Sequence, residues 1–380
     1  MAFNFDESID RRHSDSFKWQ KYYEQNVIPL WVADTDFRSP PCIIEALQAR
    51  IAHGVFGYGF PSPELTELFI ARMAERYHWR VQPEWLVFLP GLVSGINLAV
   101  RALTGPDEGI VIPTPIYPPF RAAARGAGRQ QRLAPMVLND GRWLADLAAV
   151  ETELTGVEKL LMLCNPHNPG GTVYRREELQ QQLAFAQRHD LLVCSDEIHC
   201  DLLLEPGVEH IPFASLDSDA EQRSVTLMSP SKTFNIAGLG ASLAVIPNPR
   251  LRMRFIAQRS GIVPSVDVLA FVAATAAWRD GQPWLDEQLA YLRGNRDWLR
   301  ARINELPGLH MASPEGTYLA WIDAHELAAE NPQRFFEQAG VGLSPGAEFG
   351  DPRFVRLNFG CPRALLEEGI ERMAAAINAG

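Results

Sequence analysis

From about residue 80 to 246, short apolar runs bounded by Gly, Pro or Asn alternate with longer amphipathic stretches. Residues 86–89, 109–112, 160–164, 191–195, 225–228 and 243–246 read as buried strands. Residues 93–103, 143–154 and 177–189 read as helices. In the last of these, Leu179, Leu183 and Phe185 mark an apolar side, while Glu177, Glu178 and Gln180 to Gln182 are expected to face water. Such alternation predicts an α/β chain with a mainly parallel sheet flanked by helices. Beyond residue 283 the pattern changes. A long helical stretch (284–306) precedes Pro307 and Gly308, followed by a strand at 317–323, a helix near 332–338, a strand at 354–359 and a last helix from about Ala364. This predicts a smaller α+β domain. The expected division is an arm that joins the small domain (1–45), a large domain (46–282) and a small domain (283–380).

The length of 380 residues fits two domains. With 46 acidic against 35 basic residues, the net charge of −11 argues against a nucleic-acid or anionic-membrane binder, because those need a positive field. Five cysteines, an odd number with no CxxC, make a disulfide framework or zinc knuckle a poor reading and favour a reducing compartment. The N-terminal residues lack an apolar signal core, and the longest largely apolar run, near 268–278, is too short to span a membrane. The expectation is a soluble cytoplasmic protein.

The chain has no P-loop, G-x-S-x-G, H-E-x-x-H or G-x-G-x-x-G string. His199 and Cys200 near Cys194 sit on or beside a buried strand, where cysteine serves as a small hydrophobe, so no metal site is expected. What the chain does carry is a polar cluster after each of three parallel strands: NPHNPGG (165–171), SDEIH (195–199) and SPSKTFNIAG (229–238). Ligands of open parallel sheets bind outside the carboxyl ends of the strands, so the three clusters should converge. A fourth, PGLVSG (90–95), opens an apolar helix with small residues, a natural cradle for phosphate.

Only four lysines exist, Lys18, Lys21, Lys159 and Lys232, and Lys232 alone lies in a serine-flanked loop after a strand. Asp196 ends an apolar strand, where a carboxylate is costly unless paired. A Schiff-base lysine and an aspartate on a pyridinium nitrogen are the two essentials of pyridoxal 5′-phosphate (PLP) chemistry. Asn168 is placed to bond the ring's phenolic oxygen and Tyr117 to stack on its face. Ser94, Ser229, Ser231 and the amides of residues 92–95, Val93 among them, suit the phosphate. Taken singly, each has a plainer reading: helix cap, solvated charge, packing aromatic, turn former. Their joint order at sheet ends outweighs those readings.

These three strings resemble the fold type I PLP enzymes, the aspartate-aminotransferase superfamily. LWVADTDF (30–37), HGVFGYG (53–59), EGTYLAWID (315–323) and RLNFGCPR (356–363) narrow the resemblance to its cystathionine β-lyase branch, the MalY/PatB-type C–S lyases. The resemblance implies a homodimer with its site at the subunit interface. It implies Lys232 as the cofactor-bearing lysine, Asp196 on the ring nitrogen, Asn168 on the phenolic oxygen, Tyr117 on the ring face and His199 beside the cofactor. It further implies Arg356 as the substrate-carboxylate clamp and Tyr58 as a catalytic and substrate-binding residue that reaches a partner's site. Two positions depart from the wider superfamily: His199 stands where a tyrosine is common, and Gly240 where an arginine commonly holds the phosphate. Both departures fit the lyase branch and leave the phosphate's counter-charge open. The implied reaction is β-elimination from L-cystathionine or a related cysteine S-conjugate, giving a thiol, pyruvate and ammonia. An aminotransferase shares the motifs up to the carbanion, and a PLP-binding regulator with low turnover is a further alternative.

Overall fold

In the computed structural model, which describes residues 2–379, eight strands form one sheet. They are β1 (Leu86–Pro90), β2 (Gly109–Thr114), β3 (Gln130–Asn139), β4 (Arg142–Ala145), β5 (Glu158–Cys164), β6 (Leu192–Asp196), β7 (Ser224–Met228) and β8 (Ala241–Val245). Their spatial order is β1-β8-β7-β6-β5-β2-β3-β4. Only β8 and β4 run against the rest. The carboxyl ends of β1, β2, β5, β6 and β7 therefore share one edge, and the amino end of the reversed β8 joins them there.

Both faces of this sheet are covered, which explains the nearly continuous apolar runs. On one face Ile110, Ile112, Leu160, Met162 and Leu227 pack with Ile96 and Ala99 of helix Leu92–Leu103. On the other, Val111, Leu161, Leu163 and Val193 pack with Leu179 and Leu183 of helix Arg176–Arg188. The fold corrects the expectation at Gln182, which is buried where this helix lies against the sheet rather than facing water. Gly95 allows the first helix to lie close. A Cβ there would meet Leu227 at 3.0 Å and Leu89 at 3.1 Å.

The expected helix at 143–154 is not what forms. Asp140 and Gly141 both have positive φ, 48° and 77°, and close a hairpin between β3 and β4. Such two-residue turns need left-handed backbone, which Asp-Gly supplies. Trp143 thus belongs to a strand, its amide donating to Thr172 Oγ1 at 2.9 Å. The helix is only Leu147–Glu151, started by Asp146, which accepts from the Ala149 amide at 3.0 Å.

The C-terminal part holds a second, antiparallel sheet of β9 (His310–Met311), β10 (Leu319–Asp323), β11 (Ser344–Pro345) and β12 (Phe354–Asn358), in the order β9-β10-β12-β11. The long helix Gln282–Glu305 and the last helix Arg363–Ala379 share its core. The N-terminal segment is stitched to this region. Ile28–Pro29 pairs in parallel with Val341–Gly342, and the Asn358 amide donates to the Leu30 carbonyl at 2.9 Å. Among the described residues, no helix is long and apolar enough to cross a membrane.

Candidate active site

A cavity of about 320 Å³ opens at the shared strand edge. Nine of the expected residues line it: Lys232, Asp196, Asn168, Tyr117, His199, Val93, Ser94, Ser229 and Ser231. Each follows directly from strand direction. β6 delivers Asp196, the turn after β5 delivers Asn168, and the loop after β7 delivers the serines and Lys232. Ala33, Cys164, Ile198, Ala237 and Gly240 complete much of the wall.

Asp196 is 3% exposed, and the only hydrogen bond to its side chain among the described residues comes from the Ile198 amide to Oδ1 at 3.1 Å. Burial pushes its carboxyl up to about 7, with the Ile198 amide and the Lys232 charge pulling the other way. Lys232 is pushed down to about 8 by burial; Asp34 and Asp196 oppose this and Arg356 adds to it. Its Nζ donates to the Ala33 carbonyl at 2.6 Å and forms no carboxylate ion pair among the described residues. His199 is lowered to about 3 by burial, helped by Lys232 and Arg356, so its ring stays neutral. Its Nδ1 is buried with no hydrogen-bond partner among the described residues.

Arg356 stands beside the cavity rather than on its wall. Val355 and Leu357 enter the core, and alternation along β12 turns Arg356 to the other face. Its Nη1 donates to Asn168 Oδ1 at 2.9 Å and its Nη2 to the Trp31 carbonyl at 2.9 Å. The guanidinium carbon lies 4.6 Å from the centre of the Phe349 ring. Burial lowers it to about 10, so it remains a cation at neutral pH. Nε is buried and has no partner among the described residues, which leaves a donor for an incoming carboxylate. Tyr117, at the start of helix Pro118–Gly126, is fixed by its amide donating to the Asn168 carbonyl at 3.0 Å.

The other end of the cavity is built from dipoles. Gly91, at φ 114°, turns the chain from β1 into helix Leu92–Leu103, and this helix has no side-chain cap. Its first amides lack intrahelical acceptors and favour an anion. Ser229 and Ser231 stand 2.7 Å apart at their hydroxyls, and both reach the Ala241 carbonyl, at 2.5 and 3.2 Å. Gly240 has φ 71°, a left-handed conformation that strains any L side chain, so the superfamily's arginine is not simply exchanged here. Among the described residues, Lys232 is the only cation lining the cavity.

Tyr58 is not brought to the cavity. It is fully exposed, next to exposed Val55, Phe56 and Phe60. Sequence reasoning missed the Ala33 carbonyl. A backbone acceptor carries no residue-type signal, although the LWVADTDF string around it was distinctive. The donor set suits a flat ring with a cationic nitrogen against Asp196, an aldehyde within reach of Lys232, and a phosphate at the helix start. The unpartnered His199 Nδ1 and the unpaired Asp196 carboxyl are what such a group would satisfy.

Residues 25–373 match the family described as aminotransferase class I and II. The cystathionine β-lyase PatB of Bacillus subtilis is 40% identical, over 99% of this chain and 100% of its own. The solved structure of a protein named OvoB superposes with a TM-score of 0.98 at 64% identity, covering 100% of both chains. Cystalysin from Treponema denticola, solved with pyridoxal 5′-phosphate, superposes at 0.95 with 32% identity and full coverage of both. The chain belongs to the class I and II aminotransferase family, in its cystathionine β-lyase branch.

Proposed function

We propose that this chain is a PLP-dependent carbon–sulfur β-lyase that cleaves L-cystathionine or a related cysteine S-conjugate to a thiol, pyruvate and ammonia. The observation that carries the reading is the buried Asp196, without an ion pair among the described residues, on one wall of a cavity whose only lining cation among them is Lys232. When bound, PLP supplies an electron sink for the pair left at the substrate Cα. Asp196 holds a proton at the ring nitrogen, and that cation removes the cost of burying an unpaired carboxylate. The Asn168 amide and neutral His199 would hold the ring's polar groups, and Tyr117 would cover its face. Ser94, Ser229, Ser231 and the amides beginning at Val93 would hold the phosphate. Arg356 clamps the substrate carboxylate with its free Nε edge. Lys232 removes the Cα proton, for which it must be neutral. A value near 8 leaves a useful neutral fraction at pH 7–8.

The branch favours elimination over transamination, since PatB is named a lyase and His199 and Gly240 replace residues common in aminotransferases. Tyr58 and the exposed Val55, Phe56 and Phe60 suit a homodimer in which Tyr58 enters the site of a second copy. We place the protein in the cytoplasm, and take 1–45, 46–282 and 283–380 as arm, large and small domains. The test is incubation of purified holoprotein with L-cystathionine and L-cysteine. Pyruvate with homocysteine or sulfide is expected. A keto acid that keeps the sulfur would make it an aminotransferase, and neither product would make it a PLP-binding regulator.

A further inference from the structure

Every carbonyl of the N-terminal segment Val32–Thr35 accepts a side-chain donor, with the Thr35 amide on Asn235 Oδ1 and the Asp34 carboxylate on Arg11 as further ties. Asn358 Nδ2 donates to the carbonyls of Val32 and Asp34, at 2.6 Å each, and Asn235 Nδ2 to that of Thr35 at 3.1 Å. The carbonyl between them, of Ala33, receives two donors: Lys232 Nζ at 2.6 Å and the Tyr318 hydroxyl at 3.1 Å. Tyr318 is 1% exposed and Ala33 is buried. Among the described residues no third group donates to this oxygen. A carbonyl has two lone pairs, so both places are filled.

Lys232 cannot stay there through the reaction. Condensing with an aldehyde releases water and consumes two hydrogens of the neutral amine, and the nitrogen must turn to the ring. The Ala33 oxygen then keeps only Tyr318. We propose that Tyr318 is a positioning residue for Lys232: its hydroxyl keeps the Ala33 carbonyl bonded and aimed while Lys232 is committed to the cofactor, making that carbonyl a reusable rest for the amine. This rests on the reading that Lys232 carries PLP. Without the hydroxyl, each commitment of Lys232 strands a buried acceptor, and the cofactor-bound state becomes less favourable relative to the free one. The cofactor-free protein loses much less, because Lys232 still satisfies the oxygen.

The experiment compares apoprotein of the wild type and Tyr318→Phe for binding of two probes. PLP engages Lys232, whereas pyridoxine 5′-phosphate has an alcohol in place of the aldehyde and leaves the amine where it is. PLP affinity should fall about 10-fold or more, the scale of one stranded buried acceptor. Pyridoxine 5′-phosphate affinity should stay unchanged. Equal losses for both probes, or no loss for either, would overturn the proposal, since a packing role makes no distinction between them. Borohydride reduction and peptide mapping of wild-type holoprotein separate the two failures. A label away from Lys232 removes the functional reading and this proposal together, whereas a label on Lys232 without the differential removes this proposal alone. Should the Phe variant not fold, isotope-edited infrared spectra of wild-type protein carrying [1-13C]alanine give the same contrast. The band absent from Ala33→Gly protein should shift on PLP binding and stay on pyridoxine 5′-phosphate binding. A band moved by both or by neither refutes the idea.

Discussion

Asp36 and Asp196 are both buried, 4% and 3% exposed, yet only the first is ion-paired among the described residues. Asp36 takes Lys18 Nζ at 2.6 Å, Arg11 Nη1 at 2.6 Å and Trp19 Nε1 at 2.9 Å. Burial alone would raise its carboxyl, but Lys18 and Arg11 outweigh it and hold the group below the usual range. Asp196 has one amide, and burial wins. Lys18 is wholly buried yet ion-paired, while Lys232 has a backbone oxygen. The difference teaches how to tell a structural ion pair from a site. Where every charge is answered within the chain, the cluster ties elements together; here it fastens the arm around Ala33. Where a carboxylate and an amine face one cavity and neither is answered, the missing partner is a ligand.

Asp196→Asn should give the largest effect. An amide cannot keep the ring nitrogen protonated, so thiol release should fall by about 10²–10³-fold with cofactor still bound. Wild-type turnover in cofactor-loaded variant would place Asp196 with Asp36, as structure only. Arg356→Lys keeps the charge and loses the planar fork. Its kcat/KM for amino-acid substrates should drop by about 10²-fold with PLP content unchanged. Loss of PLP instead would mean that Arg356 supports the cofactor or the fold. Lys18→Met makes the converse case. It should cost about 3 kcal/mol of stability in urea denaturation by leaving Asp36 short of a partner. Activity per folded molecule should persist; a variant that folds as wild type but turns over poorly would break the distinction.

The smallest effect is in pH dependence, where the two acids should have opposite signs. An unfolded carboxyl titrates near 4. The folded Asp196 carboxyl keeps its proton up to about 7, so its contribution in apoprotein is full below about pH 4 and falls as the pH rises to 7. Asp36, lowered on folding, contributes above about pH 4 and loses this as pH falls through its folded value. Apo Asp196→Asn should therefore gain about 2 °C or more in Tm over wild type between pH 5 and pH 8. Parallel Tm profiles would show that Asp196 already has a counter-charge within the chain.

Much of the sheet was legible because a strand's period and its flanking breakers are local. The four clusters lie at the ends of β1, β5, β6 and β7, so parallel direction alone sends Asp196, Asn168, Lys232 and the helix start to one edge. The β3–β4 hairpin was not legible in the same way. Its first strand lies at the sheet margin with only Ala134 and Met136 buried, so the alternation is faint. The Asp140-Gly141 turn is the local signal for it, and it competes with the helical pattern at 143–154.

By itself, then, the sequence determined which side chains could do the chemistry, in what order, and at which end of which strand, because those follow from local periodicity and residue type. Only the tertiary structure decided which buried charges are answered and which are left for a ligand. Lys18 and Lys232 are the same residue type; the serine-flanked loop marks Lys232 as a candidate, but nothing adjacent in the chain shows that Lys18 is bound to Asp36 while Lys232 rests on a carbonyl 199 positions away. Lys232 finds its acceptor in the arm, at Ala33, and Arg356 of β12 finds its acceptors at Trp31 and Asn168, all distant in sequence. Burial itself, which sets the Asp196 and Lys232 proton affinities, exists only once those segments have closed over the strand edge.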